Sequence, residues 1–279
     1  MQHYPEASLY VVATPIGNLA DISLRALQVL QIVDAIGCED TRHTQSLLRQ
    51  YGIDKHLLAV HEHNESEAAV GVIARLQRGE RVAYVSDAGT PAVSDPGARL
   101  VAAVRAAGFR VLPLPGASSV TTALSAAGIS GDSGFIFAGF LPTKAGERDH
   151  AVTLLQTEPR AVVLLEAPHR IEAMARAMAP LAGREITVGR ELTKQFEEIA
   201  TVPCDGFAAW LAESPQRLRG EFVLVLHPAA AAKAANDSQR VLALLLEQLP
   251  LKTAVKLAAD ITGAPRNELY DAALQLKKE

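Results

Sequence analysis

The sequence predicts an α/β protein with two α/β domains and a small C-terminal helical module. Three observations carry that expectation. Short apolar runs recur along the chain, and most of them end in a Gly, Pro or Asp cluster and lead into a helical pattern. The 279 residues exceed the roughly 150 that one domain usually takes, so more than one core is expected. From Ser238 onward only helical periodicity remains. Hydrophobic residues make up 49% of the chain and charged ones 21%, which excludes wholesale disorder, a collagen-like repeat or a disulfide scaffold.

The first run, Leu9 to Ala13, is short and uniformly apolar, the signature of a central parallel strand buried on both faces. It ends at Thr14-Pro15-Ile16-Gly17-Asn18, after which Asp21 is placed to cap a helix. Ala26, Val29, Leu30 and Val33 form the apolar stripe of that helix. A strand at Ala35 to Cys38 runs into Glu39-Asp40-Thr41-Arg42, and one at Leu57 to Val60 runs into His61-Glu62-His63-Asn64-Glu65. Val82 to Val85 leads into Ser86-Asp87-Ala88-Gly89-Thr90-Pro91, and Val111 to Leu114 into Pro115-Gly116-Ala117-Ser118-Ser119. In open α/β sheets ligands sit outside the carboxyl ends of the strands, so these polar loops are expected to converge on one site. Asp95-Pro96-Gly97 reads as a capping Asp and an N1 Pro before a helix that ends near Gly108.

After Gly128 a second set of strands is expected at Phe135 to Phe140, Ala161 to Leu165, Glu185 to Val188 and Phe222 to Leu226. Pro228 and the Ala-rich stretch to Ala235 read as a linker with little to pack. Three amphipathic patterns follow: Val241, Leu244 and Leu245; Ala254, Leu257, Ala258 and Ile261; and Leu269, Ala272, Ala273 and Leu276. Gly263-Ala264-Pro265 separates the last two, as in a helix-turn-helix unit. The expected division is residues 1–117, 118–228, a linker at 229–239 and the helical module at 240–279.

The net charge is −4, so any nucleic-acid binding needs a local patch rather than overall basicity. In the module, Lys252, Lys256, Arg266, Lys277 and Lys278 are nearly cancelled by Glu247, Asp260, Glu268 and Asp271. Cys38 and Cys204 match no zinc spacing and suit a reducing compartment, which makes the cytoplasm the expected location. No stretch approaches the ~18 apolar residues of a membrane span, and no signal segment opens the chain. His61-Glu62-His63 lacks a third ligand at a metal-binding spacing, so no metal is expected.

The chain also lacks the Rossmann, Walker, zincin and nucleophile-elbow signatures. In Ser86-Asp87-Ala88-Gly89-Thr90-Pro91, small residues admit a ligand to the backbone while a carboxylate accepts hydrogen bonds from a ribose or an amine. Ser118 and Ser119 set two hydroxyls at a helix start, where capping accounts for only one. Glu39, Asp40 and Arg42 read equally as surface ion pairs or as site residues, because a general base belongs at such a strand end.

Taken together, Leu9 to Leu19, Glu39-Asp40-Thr41-Arg42, His61 to Glu65, Ser86 to Pro91 and Glu166-Ala167-Pro168-His169-Arg170 resemble the ribosomal RNA small subunit methyltransferase I family. The resemblance spans nearly the whole chain, and Lys256-Leu257-Ala258-Ala259 with Asn267-Glu268-Leu269-Tyr270 resembles the family's extra C-terminal module. It implies two α/β domains of the tetrapyrrole-methylase type, S-adenosylmethionine in a cleft between them, and a homodimer. It further implies methyl transfer to the ribose 2′-hydroxyl of a cytidine in 16S ribosomal RNA, with the RNA or the small ribosomal subunit as partner and no membrane. Where that superfamily usually has Gly-Asp-Pro, this chain has Asp87-Ala88-Gly89 with Pro91 following. The family's pattern assigns cofactor contacts to Pro15, Asp87, Ala88, Gly89, Ser118, Ser119 and Leu165. A ribose hydroxyl needs a base, and the sequence offers Glu39, Asp40, His61 and Glu62 without choosing among them. Arg42, Lys144 and Arg170 lie beside the motif loops and suit phosphate or RNA contacts. Two alternatives stay open, a methyltransferase acting on a tetrapyrrole and a non-catalytic RNA-binding assembly factor.

Overall fold

The computed structural model describes residues 3–61, 64–130, 134–229 and 235–276. The first part alternates β1 (Ser8–Val12), α1 (Leu24–Ile32), β2 (Ala35–Cys38), α2 (Thr41–Gln50), β3 (Leu57–Ala59), α3 (Glu65–Gln77), β4 (Arg81–Val85), α4 (Ala98–Ala106) and β5 (Arg110–Leu114). The five strands form one parallel sheet in the order β3-β2-β4-β1-β5. Both faces are covered. Tyr10, Val12 and Ile36 pack against Ala26, Val29 and Leu30 of α1, while Leu9, Val82 and Tyr84 pack against Val72 of α3 and Leu100 of α4. Alternation along β1 thus serves two cores at once, which is why its sequence shows no polar side.

Two helix starts differ from the expectations. Ser23, not Asp21, caps α1, its hydroxyl accepting from the Ala26 N–H at 3.0 Å. The chain first spends Leu19–Asp21 on a 3-10 turn capped by Asn18, and this displaces the helix start. Nor does Asp95 cap α4. Gly97 holds that position at φ 123°, and the acceptor is the buried carboxylate of Glu65 on α3. A Cβ at 97 would lie 2.3 Å from the Tyr84 ring, so only glycine fits there.

The second part contains α5 (Ser119–Ala126), β6 (Phe135–Phe140), α6 (Ala145–Leu155), β7 (Ala161–Glu166), α7 (Ile171–Met178), β8 (Glu185–Arg190), β9 (Glu198–Pro203), α8 (Phe207–Ala212) and β10 (Phe222–Leu226). Its sheet runs β6-β7-β10-β8-β9, with β6 and β7 parallel and every other pair antiparallel. β9 is absent from the sequence reading. It is an edge strand whose residues alternate between half-buried and exposed, and it opens on Glu198 and closes on Pro203, so its apolar signal is weak. One face of this sheet packs under α7 and α8 through Ile171, Met174 and Phe207. The other receives Val120 and Ala123 of α5 on Val163, Val223 and Val225, and Ile16 from the first part joins this cluster. The carboxyl edge of the first sheet therefore meets the α5 face of the second.

The C-terminal helices α9 (Ala235–Leu246), α10 (Leu251–Thr262) and α11 (Arg266–Leu276) pack on one another around Leu242, Ala254, Val255, Ala258, Leu269 and Ala273. Leu244, Leu257, Ile261 and Leu276, expected on the buried stripes, are exposed instead, and the buried seam is formed largely by alanines with Leu242, Val255 and Leu269. Gly263 ends α10 in the left-handed region, as the turn motif requires. Part of the expected linker, residues 230–234, lies outside the described residues, and Ala235 already belongs to α9. Alanine is the strongest helix former, which offsets its poverty of packing atoms. No helix among the described residues is long and apolar enough to cross a membrane.

Candidate functional site

Three loops at the carboxyl edge of the first sheet are stitched together by backbone and hydroxyl bonds. The Thr14 N–H donates to the Gly89 carbonyl at 2.9 Å, and the Gly89 N–H donates back to the Thr14 carbonyl at 3.0 Å. The Thr14 hydroxyl donates to the Ser86 carbonyl, and the Thr90 hydroxyl to the Ala117 carbonyl, each at 3.0 Å. Gly89 adopts φ 80°, and a Cβ there would stand 3.3 Å from Ile16, so the loop's tight approach to β1 depends on glycine.

Above these loops opens a cleft of about 370 Å³. Ala88, Gly89, Ser118 and Ser119 line its first-sheet side, and Leu165, Leu192 and Val223 present an apolar wall from the second sheet. Ser118 is the N-cap residue of α5, yet its side chain makes no capping bond, which leaves the hydroxyl for the cleft. An apolar wall facing hydroxyls and helix-start amides suits a ligand that combines a flat ring with polar groups.

Pro15 and Asp87 stand behind this lining rather than on it. Pro15 is buried next to Ile16. The Asp87 carboxylate accepts from the Asp40 N–H at 3.3 Å, and the Asp87 carbonyl lies 3.1 Å from the His43 Nε2. This contact joins the end of β2, with Glu39 and Asp40, to the cleft floor, but neither residue reaches the cleft itself. Asp40 is the N-cap of α2. Its carboxylate accepts from the N–H groups of Arg42 and His43, and those bonds hold its pKa below the usual carboxylate range, which opposes a role as a base. Half-buried His61 follows β3, its N–H donating to the Asn64 side chain at 2.8 Å. Glu62 and His63 lie outside the described residues, among which no group of three His, Cys, Asp or Glu could hold a metal ion.

Arg42 is exposed at 92% and pairs loosely with Asp40 at 3.7 Å, and exposed Lys144 pairs with Glu147 at 3.0 Å. Arg170 is different. Its guanidinium lies 3.0 Å from the fully buried Glu166 carboxylate and donates to the Leu141 and Pro142 carbonyls, so the group expected to meet RNA is committed to the loop after β6.

Sequence reasoning missed three acidic or polar lining residues, Ser94, Asp95 and Glu221. Burial, with the Asp87 charge nearby, pushes the Asp95 carboxyl above its usual range even though the Ser86 hydroxyl counteracts it. The signal was present as Ser94-Asp95 but was absorbed into cap grammar. Glu221 pairs with Lys194 at 3.0 Å, and Lys194 in turn holds Glu191 at 2.9 Å. Gly17 lies against this group so closely that a Cβ would meet Lys194 at 2.4 Å, which ties the first turn of the chain to the loop after β8.

Residues 8–207 match the family model for tetrapyrrole (corrin/porphyrin) methylases, and residues 231–277 match the model described as the RsmI C-terminal HTH domain. The chain is 46% identical to the ribosomal RNA small subunit methyltransferase I of Escherichia coli O157:H7, covering 97% of this chain and 96% of that one. It is 47% identical to the protein of the same name from Pseudomonas aeruginosa, over 96% of this chain and 97% of that one. Among solved structures, the uroporphyrin-III C-methyltransferase of Thermus thermophilus complexed with S-adenosylhomocysteine shares the fold at a TM-score of 0.53 and 16% identity, covering 79% of this chain and 97% of that one.

Proposed function

Because the chain belongs to the ribosomal RNA small subunit methyltransferase I family, with a tetrapyrrole-methylase body, we propose that it uses S-adenosylmethionine to methylate the ribose 2′-hydroxyl of a cytidine in 16S ribosomal RNA. The observation that carries this reading is the cleft shared by loops of both sheets, polar on one side and apolar on the other.

The residues present fit the cofactor. The cleft lies within the roughly 300–1,000 Å³ typical of small-molecule sites. Gly89 lets the backbone approach, Ser118 offers an uncommitted hydroxyl, and Leu165 with Val223 offers a surface for an aromatic ring. Ala88, Gly89, Ser118, Ser119 and Leu165 would hold it, with Pro15 and Asp87 bracing the loops from behind. When bound, S-adenosylmethionine supplies an electrophilic methyl group on a positive sulfonium. The chain's part is to align the acceptor oxygen, keep water out with Ile16, Leu165, Leu192 and Val223, and accept the hydroxyl proton.

Arg42 and Lys144 are exposed cations beside the motif loops and serve as phosphate contacts in this reading, while the helical module adds a second RNA-facing element. A homodimer working in the cytoplasm completes the proposal. The buried free thiols Cys38 and Cys204 favour a reducing compartment. Neither a tetrapyrrole methyltransferase nor a non-catalytic assembly factor is favoured, because the near-full-length relatives are named ribosomal RNA methyltransferases.

The test supplies the purified chain with radiolabelled S-adenosylmethionine and small ribosomal subunits that lack the modification. The expected product, after nuclease digestion and mass spectrometry, is 2′-O-methylcytidine. Absence of transfer to subunits and to naked 16S RNA alike overturns the proposal.

A further inference from the structure

We infer that Asp95 is the general base that takes the proton from the acceptor hydroxyl, an assignment that rests on the methyl-transfer reading above. Among the described residues, three acidic ones line the cleft: Asp95, Glu166 and Glu221. Two of them are spoken for. Arg170 neutralises Glu166 and Lys194 neutralises Glu221, whereas Asp95 has no cationic partner among the described residues. Its expected structural duty is also carried by another group, since Glu65 supplies the acceptor at the start of α4. Asp95, hydrogen-bonded to the Ser86 hydroxyl, is thereby the lining carboxylate without a counter-charge among the described residues.

The loop that carries Asp95 borders the cleft. The Ala92 N–H donates to the Pro96 carbonyl at 3.2 Å and closes a short loop whose tip, Val93-Ser94-Asp95, lines the cleft. Ala92 and Ser94 adopt φ 64° and 65°, left-handed conformations that non-glycine residues hold only where the surroundings impose them. The sequence candidates fit less well: Asp40 is consumed as a cap, and Glu39 and His61 stand outside the lining.

The groups that face Asp95 are Asp87 and Ser86 of the loop after β4, together with the Tyr84 phenol, itself disfavoured from ionising in part by the Asp95 charge. Burial and Asp87 raise the proton affinity of Asp95 relative to a free carboxylate, in the direction a base requires. In the reaction the ribose O–H bond breaks and its proton moves to a carboxylate oxygen of Asp95. The freed electron pair forms the bond from oxygen to the methyl carbon, while the carbon–sulfur pair stays on sulfur as a neutral thioether leaves. Asp95 then returns the proton to solvent.

The experiment compares wild-type enzyme, Asp95→Asn and Asp95→Glu on unmodified small subunits, with calorimetric titration of S-adenosylmethionine, melting temperature and a pH profile for each. Asp95→Asn is expected to lower kcat by about 10²–10⁴-fold. Its cofactor Kd should stay within about twofold and its melting temperature should fall no lower than wild type. Asp95→Glu should retain part of the rate. In the wild type, kcat should rise with pH through the Asp95 pKa and then level off, a limb that the residual Asp95→Asn activity should lack. An Asp95→Asn enzyme within about threefold of wild type, or one whose loss follows weakened cofactor binding, overturns the assignment to Asp95. A wild-type enzyme that transfers no methyl to subunits or RNA overturns the methyl-transfer reading and this assignment with it.

Discussion

At Glu65 a buried carboxylate of one helix accepts from the backbone N–H groups that open another: Gly97 at 2.7 Å, Arg99 at 3.1 Å and Leu100 at 3.3 Å. Helix starts leave amides without partners, and two of these are buried, so their satisfaction matters more than at a wet surface. Glu65→Ala is expected to destabilise the protein by about 2–3 kcal/mol in urea denaturation, since the lost bonds are charge-assisted. Glu65→Gln keeps an acceptor oxygen and should lose about half as much. A wild-type midpoint in Glu65→Ala would show that water replaces the carboxylate at no cost. This bond set also explains the misreading of Asp95. Asp-Pro-Gly before a helix is strong local grammar, and nothing local discloses an acceptor 32 residues away.

At the scale of elements, the junction of β7 and α7 uses Arg170 as a bracket. The guanidinium meets Glu166, whose side chain is 0% exposed, and grips the carbonyls of the loop after β6 that ends in Lys144. Removing the cation strands a buried carboxylate, which typically costs about 3–5 kcal/mol. Arg170→Ala is therefore expected to lower stability by about 3 kcal/mol, and adding Glu166→Gln should restore much of it. An RNA contact would behave otherwise, with full stability and weaker substrate binding, and thermal melts beside RNA titrations separate the two. Strand legibility followed burial in the same way. β10, Phe222 to Leu226, is buried on both faces and reads directly from its apolar run, whereas half-exposed β9 does not.

The whole molecule joins a cleft-bearing body to a helical trio that has its own core around Leu242, Ala258 and Leu269. Methyl transfer to a ribosomal substrate needs both grip and chemistry, and the cofactor side of the cleft draws nothing from the trio. Truncation after Pro228 should leave the S-adenosylmethionine Kd within about twofold while weakening RNA binding by about tenfold or more, with a shallower salt dependence. Calorimetry and RNA titration at two salt concentrations check both halves. An unchanged RNA affinity would assign the trio another role.

The sequence by itself determined the class of fold, the strands buried on both faces, the helical tail and the polar loops at the strand ends. Each of these rests on local periodicity or on residues adjacent in the chain, which the order of amino acids records directly. Only the tertiary structure decided that Glu65 caps α4, that Arg170 is spent on Glu166, and that Asp95 borders the cleft with no cationic partner among the described residues. Those assignments depend on which distant side chain satisfies a buried charge or amide, and that partner is chosen by packing rather than by position along the chain.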